Sequence, residues 1–172
     1  MQDYLATISS IDDNVGRVLD YLDSNNLTEN TIVVYTSDQG FYLGEHGWYD
    51  KRFIYDESFK TPLMIRWPNK IKPGISSEEM VQNLDFAQTF LEAAMISAPS
   101  DMQGESLIPL MTGENSKWTR ESVYYHYYEY PSVHMVKRHY GIVNKEYKLA
   151  HFYYDVDEWE LYDRINDPNE MN

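Results

Sequence analysis

The stretch that decides the fold is Thr31-Ile32-Val33-Val34-Tyr35-Thr36, a continuous run of β-branched and aromatic residues. Because the run lacks polar alternation, it predicts a β-strand that is buried on both faces. Before it, apolar residues recur at helical spacing and predict an amphipathic helix over residues 3–24. A helix that leads into a buried strand is half of a βαβ repeat, so the sequence indicates an α/β fold.

Polar residues follow this strand directly, in Ser37-Asp38-Gln39-Gly40. In open α/β sheets, ligands bind beyond the carboxyl ends of the strands. Asp38 offers a carboxylate and Gln39 an amide oxygen, which are hard ligands that suit calcium or magnesium rather than zinc. Two adjacent ligands cannot fill six or more positions, and the chain has no Asp-x-Asp-x-Asp loop to supply the others. The residues alone leave open a partial cation site or a carboxylate that caps the turn at Gly40.

The rest of the chain divides into two parts that differ in pattern. In the first part, residues 61–67 predict a second strand, Asp85 can cap a helix, and residues 107–111 predict a short helical segment. A polar connection then indicates a boundary, with residues 1–114 as one domain and residues 115–172 as another. In the second part, four short strands predict a small antiparallel sheet, at residues 122–128, 140–144, 147–153 and 159–162. Asp167-Pro168 is a helix-start signal and predicts a terminal helix.

Composition excludes several classes of function. Asp and Glu number 28 against 14 Lys and Arg, so the formal charge is −14 and the chain is a poor general binder of nucleic acid or anionic membranes. Cysteine is absent, which removes disulfides, thiolate metal sites, iron–sulfur clusters and a cysteine nucleophile. No apolar run is long enough to predict a membrane span. The first residues lack the regions of a signal peptide, and both ends are expected to be cut from a longer polypeptide.

Several spaced motifs together resemble one family. Ser37-Asp38-Gln39-Gly40, Gly44-Glu45-His46-Gly47 and Lys51 are similar to the second signature region of the type I, formylglycine-dependent sulfatases. The similarity continues downstream in Tyr55-Asp56-Glu57-Ser58 and in Trp159-Glu160-Leu161-Tyr162-Asp163. It covers nearly the whole chain and is greatest for glycan sulfatases of the N-acetylglucosamine-6-sulfatase type. It implies the C-terminal part of an alkaline-phosphatase-like α/β sandwich, followed by the small antiparallel sheet with its terminal helix.

The resemblance also implies roles for individual residues. Family members bind a calcium ion with an acid and a neighbouring amide or imidazole at the positions of Asp38 and Gln39. Lys51 matches the lysine that contacts the sulfate group, and His46 falls where the family keeps a histidine near the substrate. A metal ion and an ammonium group would offset the charge that develops on oxygen during sulfate transfer. The implied activity of the parent enzyme is calcium-dependent hydrolysis of a sulfate ester on a sulfated carbohydrate.

Two parts of the family's catalytic site are absent from the chain. The nucleophile is a formylglycine made from Cys or Ser in a Cys/Ser-x-Pro-x-Arg motif, and Ser97-Ala98-Pro99 begins such a motif but lacks the arginine. The Asp pair that completes the calcium site is also missing. We therefore expect the chain to be the C-terminal portion of a longer sulfatase, with the N-terminal half as its partner, and to be inactive alone. By family habit, the parent enzyme is expected to be secreted or periplasmic.

Two alternative functions stay open at this stage. One is a phosphodiesterase or phosphonate hydrolase of the same superfamily, although the amide of Gln39 is a poor zinc ligand where two-zinc phosphatases use histidine. The other is a non-catalytic module that binds an anionic glycan through the basic cluster His134, Lys137, Arg138 and His139. Within that cluster His134 and Arg138 are the candidate substrate-binding residues, and a solvated strand edge is the competing interpretation. A strand cut from its neighbours would also expose apolar surface and favour self-association.

Overall fold

The computed structural model describes residues 2–172, except for the side chain of Asn115. The α-helices are α1 (Gln2–Ser24), α2 (Asp56–Phe59), α3 (Asp85–Ala93) and α4 (Ile108–Thr112). The strands are β1 (Val33–Thr36), β2 (Leu63–Arg66), β3 (Ser122–Tyr127), β4 (His139–Asn144), β5 (Tyr147–Phe152) and β6 (Glu158–Asp163). The predicted mixture of helices and strands is confirmed, with bounds within about two residues of those expected. None of the helices in the described part of the chain is long and apolar enough to cross a membrane.

The chain forms two compact units, of which the first contains the segment that ends at Tyr35 together with Met64–Ile75. In this unit α1 buries no side chain, and its apolar residues are exposed, among them Leu5, Ile8, Ile11, Val18 and Tyr21. The expected exposed apolar surface is therefore present. β1 and β2 form a two-stranded sheet. β1 is partly buried rather than buried on both faces, with Tyr35 37% exposed, which is the loss of cover expected for a strand cut from its neighbours.

The second unit contains Thr36–Leu63 and Ser76–Asn172 and is built on the predicted antiparallel sheet, in the order β3-β4-β5-β6. Alternate residues of β4 and β5 are buried, as a sheet with one covered face requires. That face packs against a second layer, the segment around Tyr42 and residues 53–55. Gly141 of β4 lies where the sheet and this second layer come close together, since a Cβ there would meet Cδ1 of Ile54 at 2.5 Å. The core of this unit therefore joins the small sheet to the loop that carries the predicted site motifs.

Asp85 does not cap α3 as predicted, because the residue in the capping position is Leu84. The Asp85 carboxylate is fully buried and accepts hydrogen bonds from the backbone N–H groups of Gln82 (2.8 Å) and Glu105 (2.9 Å). The Arg120 guanidinium bonds both of its oxygens, at 2.5 and 2.7 Å. These hydrogen bonds hold the pKa of Arg120 above its usual value. The buried ion pair fixes the start of α3 to the segment that precedes β3.

The predicted terminal helix does not form within the described residues. After β6 the chain makes turns, and the Asp167 carboxylate accepts the backbone N–H groups of Met171 and Asn172, each at 2.8 Å. Glu170 has a φ of 54°, a left-handed conformation that cannot continue a right-handed helix. Its side chain lies in the interior, where it pairs with Lys148. The division of the chain after residue 114 stays a prediction.

Candidate active site

Three residues predicted from the sequence lie around one cavity of the second unit. Asp38, Gln39 and Lys51 all line this cavity, which has a volume of about 920 Å³. Asp38 and Gln39 follow β1 directly, and Lys51 lies in the long loop before α2. Within the described residues, the Lys51 ammonium has no hydrogen-bond or ion-pair partner and remains available to an anion. The three residues, which are separated by up to thirteen positions in sequence, therefore border the same cavity.

His46 lies apart from this cavity, in a 3₁₀ turn at Glu45–Gly47. Its ring stacks on that of Tyr55, with centroids 4.3 Å apart, and its Nε2 lies 3.3 Å from a Glu57 carboxylate oxygen. His46 has a φ of 52°, and Gly47 after it has a φ of 76°, a conformation for which glycine is suited. His46 is thus held by a ring stack and a carboxylate, and it is not among the residues that line the cavity.

His134 and Arg138 contact different partners. His134 Nε2 lies 2.7 Å from the Arg52 Nη2, and the same guanidinium pairs with Asp50. Arg138 instead donates through its Nε to the Tyr128 carbonyl at 3.1 Å, and its guanidinium stacks over a tyrosine ring. Asp50 and Arg52 flank Lys51 in sequence, and that adjacency was the signal by which they could have been found. A polar group of Asp50, Arg52 and His134 therefore adjoins the backbone of the predicted sulfate-binding lysine.

Lys137 and His139, the other two residues of the basic cluster, contact side chains of the same chain. Lys137 forms an ion pair with Asp155 and donates to the Tyr130 hydroxyl at 2.6 Å. His139 is fully buried and stacks against the rings of Phe53 and Phe152. Burial lowers the pKa of His139 to about 4, so this imidazole is neutral at pH 7. The cluster is therefore not one continuous cationic patch.

Two buried tyrosines, Tyr42 and Tyr55, pack beside the His46 ring. Burial, with the charge of Glu57, raises the pKa of Tyr42 far above its usual value. Burial, with a hydrogen bond to Glu160, does the same for Tyr55, whose hydroxyl donates to that carboxylate at 2.8 Å. Both phenols are therefore neutral donors, and they support the loop rather than act as bases.

The oxygen ligands at the cavity are of the kind that a hard cation prefers. There are too few of them to complete its coordination. Asp38 and Gln39 offer oxygen ligands of the kind that calcium prefers, yet calcium takes six to eight of them. In the part of the chain that the structure describes, no three His, Asp or Glu side chains form a group that could hold a metal ion. Any calcium at this cavity therefore needs further ligands from another segment.

Several known proteins are similar to this chain in sequence and in structure. The family model described as "N-sulphoglucosamine sulphohydrolase, C-terminal" matches residues 44–172. The N-acetylglucosamine-6-O-sulfatase of Bacteroides thetaiotaomicron is 55% identical over 175 residues, which is 100% of this chain and 31% of that protein. A solved structure of a protein with its substrate D-glucosamine-2-N,6-O-disulfate superposes with a TM-score of 0.95 at 55% identity, over 99% of this chain and 35% of that one.

A phosphonate monoester hydrolase of Silicibacter pomeroyi is more distant, with a TM-score of 0.80 at 26% identity over 91% of this chain and 33% of that one. The chain thus spans about a third of the length of the relatives it matches. The family match covers most of the chain, and it includes Lys51 and all four strands of the antiparallel sheet. The chain therefore belongs to the sulfatase family and corresponds to that family's C-terminal region.

Proposed function

We propose that this chain supplies the sulfate-binding lysine and part of the cation site of an enzyme that hydrolyses sulfate esters on a sulfated sugar. The observation that carries the proposal is the common cavity lined by Asp38, Gln39 and Lys51. Similarity to an N-acetylglucosamine-6-O-sulfatase, and to a protein solved with a glucosamine disulfate, supports 6-sulfated glucosamine as the substrate class. The nucleophile, a formylglycine, is expected outside the chain.

The residues of the chain have separate tasks in this proposal. The Lys51 ammonium binds an oxygen of the sulfate group and offsets the negative charge that increases there as the ester bond breaks. Asp38 and Gln39 would hold a calcium ion together with ligands from elsewhere, and the bound ion would add positive charge on the same group. His46 contacts Tyr55 and Glu57 and thereby holds the turn that precedes Lys51 in its conformation.

We assign recognition of the sugar to the polar group of Asp50, Arg52 and His134, two members of which flank Lys51 in sequence and none of which lines the cavity itself. Arg52 presents donors and Asp50 presents acceptors, a combination that suits the hydroxyl groups of a sugar ring. His134 adjoins this pair and keeps its proposed role as a substrate-binding residue. Arg138 keeps its proposed role as a second substrate-binding residue, because the Tyr128 carbonyl occupies only its Nε and leaves the Nη donors for an anion.

The alternative functions are less well supported. A phosphonate hydrolase matches at lower identity than the sulfatases do, and Gln39 in place of a zinc-binding histidine argues against two-zinc chemistry. A glycan-binding module needs a free basic surface, whereas Lys137 is paired with Asp155 and His139 is buried. Secretion or export to the periplasm, and self-association through the exposed face of α1, remain proposals.

The proposal is tested by sequencing the coding DNA upstream of Met1 and by expressing the longer polypeptide. We expect an in-frame Cys/Ser-x-Pro-x-Arg motif and an earlier Asp pair. The longer protein should release sulfate from glucosamine 6-sulfate, lose at least about 100-fold in rate with Lys51→Ala, and keep its rate with Lys72→Ala, an exposed lysine of the first unit. Calcium chelation should also abolish the activity.

The chain alone should be inactive under the same conditions. Sulfate release by the isolated chain, or by the Lys51→Ala variant of the longer protein, would contradict the proposed division of the active site. A longer polypeptide without the nucleophile motif would also contradict it.

A further inference from the structure

One buried serine connects the two segments that carry the proposed site. Ser58 lies in the short helix α2 and is 4% exposed. Its hydroxyl donates to the Lys51 carbonyl oxygen at 2.5 Å. Its own carbonyl oxygen accepts the backbone N–H of Gly40 at 2.7 Å. The same residue thus contacts the backbone of the sulfate-binding lysine and the turn that follows Asp38 and Gln39.

The contact with the turn leaves no room for a side chain at Gly40. A Cβ at Gly40 would lie 1.9 Å from the Glu57 carbonyl oxygen and 3.2 Å from the Cα of Ser58. The turn therefore packs directly on the backbone of α2, at a distance that glycine allows and any other residue would prevent. Any displacement of α2 would shift the turn with it.

The helix α2 is itself anchored to the sheet and to the C-terminal segment. Asp56, its first residue, accepts from the Lys148 ammonium at 2.7 Å and from the Arg164 guanidinium at 3.0 Å. Its backbone N–H donates to the Glu170 carboxylate at 2.9 Å. Burial alone would raise the pKa of Asp56, and the two cations lower it below its usual value, so the carboxylate stays charged. The helix that carries Ser58 is therefore tied to β5 and to the chain's last residues by three hydrogen bonds of Asp56.

We propose that the Ser58 hydroxyl is a positioning group that sets Lys51 at a fixed distance from the Asp38–Gln39 turn. The proposal rests on the function given above for Lys51 and the turn. A sulfate group must contact the ammonium and the cation at once, so the spacing between them decides whether both interactions form in the transition state. An error of about 1 Å in such a spacing costs on the order of 100-fold in rate.

The variant Ser58→Ala removes only the link to Lys51, because the bond to Gly40 uses the Ser58 backbone. In the longer polypeptide we expect Ser58→Ala to lower kcat/KM for glucosamine 6-sulfate by roughly 10- to 100-fold. Calcium affinity, measured with the metal alone by calorimetry, should stay within about threefold of the unsubstituted protein. A general loss of structure would weaken both properties together.

A double-mutant cycle with Lys51 tests whether Ser58 acts through that residue. In the Lys51→Ala background, Ser58→Ala should change kcat/KM by less than about twofold, because the group it positions is gone. The control is Thr89→Ala, which also removes a buried hydroxyl. The Thr89 hydroxyl donates to the Asp85 carbonyl and accepts the backbone N–H of Leu107. That variant should lower the melting temperature and leave kcat/KM unchanged.

Wild-type kcat/KM in Ser58→Ala, with activity lost in Lys51→Ala, would overturn the positioning role and leave the proposed function intact. An equal factor of loss from Ser58→Ala in both backgrounds would also overturn it, since the serine would then act independently of Lys51. Full activity in Lys51→Ala would instead refute the proposed function itself.

Discussion

The ion cluster around Lys148 allows a sharp prediction about stability. The Lys148 side chain is fully buried in β5, and its ammonium contacts the Ile54 carbonyl at 2.9 Å, Asp56 at 2.7 Å and Glu170 at 2.5 Å. In Lys148→Met the aliphatic stem is retained and the charge is lost. Asp56 keeps its partner Arg164, whereas Glu170, with a side chain only 1% exposed, keeps a single backbone donor.

The cost follows from leaving that carboxylate unpaired. Removing one partner of a buried ion pair destabilises a protein by about 3–5 kcal/mol, a large part of the 5–15 kcal/mol typical of a domain. Glu170→Gln removes the opposite charge, and the double variant Lys148→Met/Glu170→Gln leaves no unpaired charge at this position. We therefore expect the double variant to be more stable than the sum of the two single losses by about 1–3 kcal/mol.

Equilibrium unfolding in urea, followed by tyrosine and tryptophan fluorescence, measures these free energies. The exposed pair Lys145 and Glu79 on the same unit is the matched control, and Lys145→Met should cost less than about 1 kcal/mol. A loss of under about 1 kcal/mol in Lys148→Met, or strict additivity in the double variant, would refute the reasoning.

Two further predictions concern His139 and Gly40. Burial lowers the pKa of His139 to about 4, against about 6.5 in an unfolded chain, so the unfolded state binds the extra proton between these values and stability falls as pH drops through this window. The loss between about pH 7 and pH 4.5 should be smaller in His139→Phe by about 2–3 kcal/mol, measured by urea unfolding at each pH, and equal losses would contradict this. Gly40→Ala should destabilise the second unit by about 1–3 kcal/mol in thermal unfolding, because the methyl would meet the Glu57 carbonyl, whereas Gly16→Ala, with open space around it in α1, should be neutral or stabilising.

The fold could be predicted wherever a local pattern was strong. Alternation and turn residues placed the strands β3 to β6, and helical spacing placed α1, because these signals act within a few neighbouring residues. The predictions of a terminal helix and of a helix cap at Asp85 were wrong, because distant residues bind side chains that the local sequence assigned to a helix end. Arg120 lies 35 positions from Asp85 and claims its carboxylate, and Lys148 draws Glu170 into the interior and out of any helix.

The residues of the candidate site were also predictable from local motifs, whereas their distant neighbours were not. Asp38, Gln39 and Lys51 came from motifs and lie around one cavity, as the motifs suggested. The neighbours that hold them did not come from motifs. Arg52 meets His134 over a separation of 82 positions, and no pattern within either segment indicates the other. The candidate binding residues could thus be proposed from their motifs, whereas their long-range contacts could be found only in the structure.

A chain of long-range contacts connects Lys51 to the last residues of the C-terminal region. Lys51 is located by the Ser58 hydroxyl, Ser58 by the helix α2, and α2 by Asp56 in its bonds to β5 and to the chain's last residues. Each step is a short and partly buried hydrogen bond, so we expect a displacement at Glu170 to reach Lys51 through these bonds. A C-terminal change that spares every proposed substrate contact should therefore still lower sulfate-ester turnover. Glu170→Ala would then act on the rate through position, by the same route as Ser58→Ala.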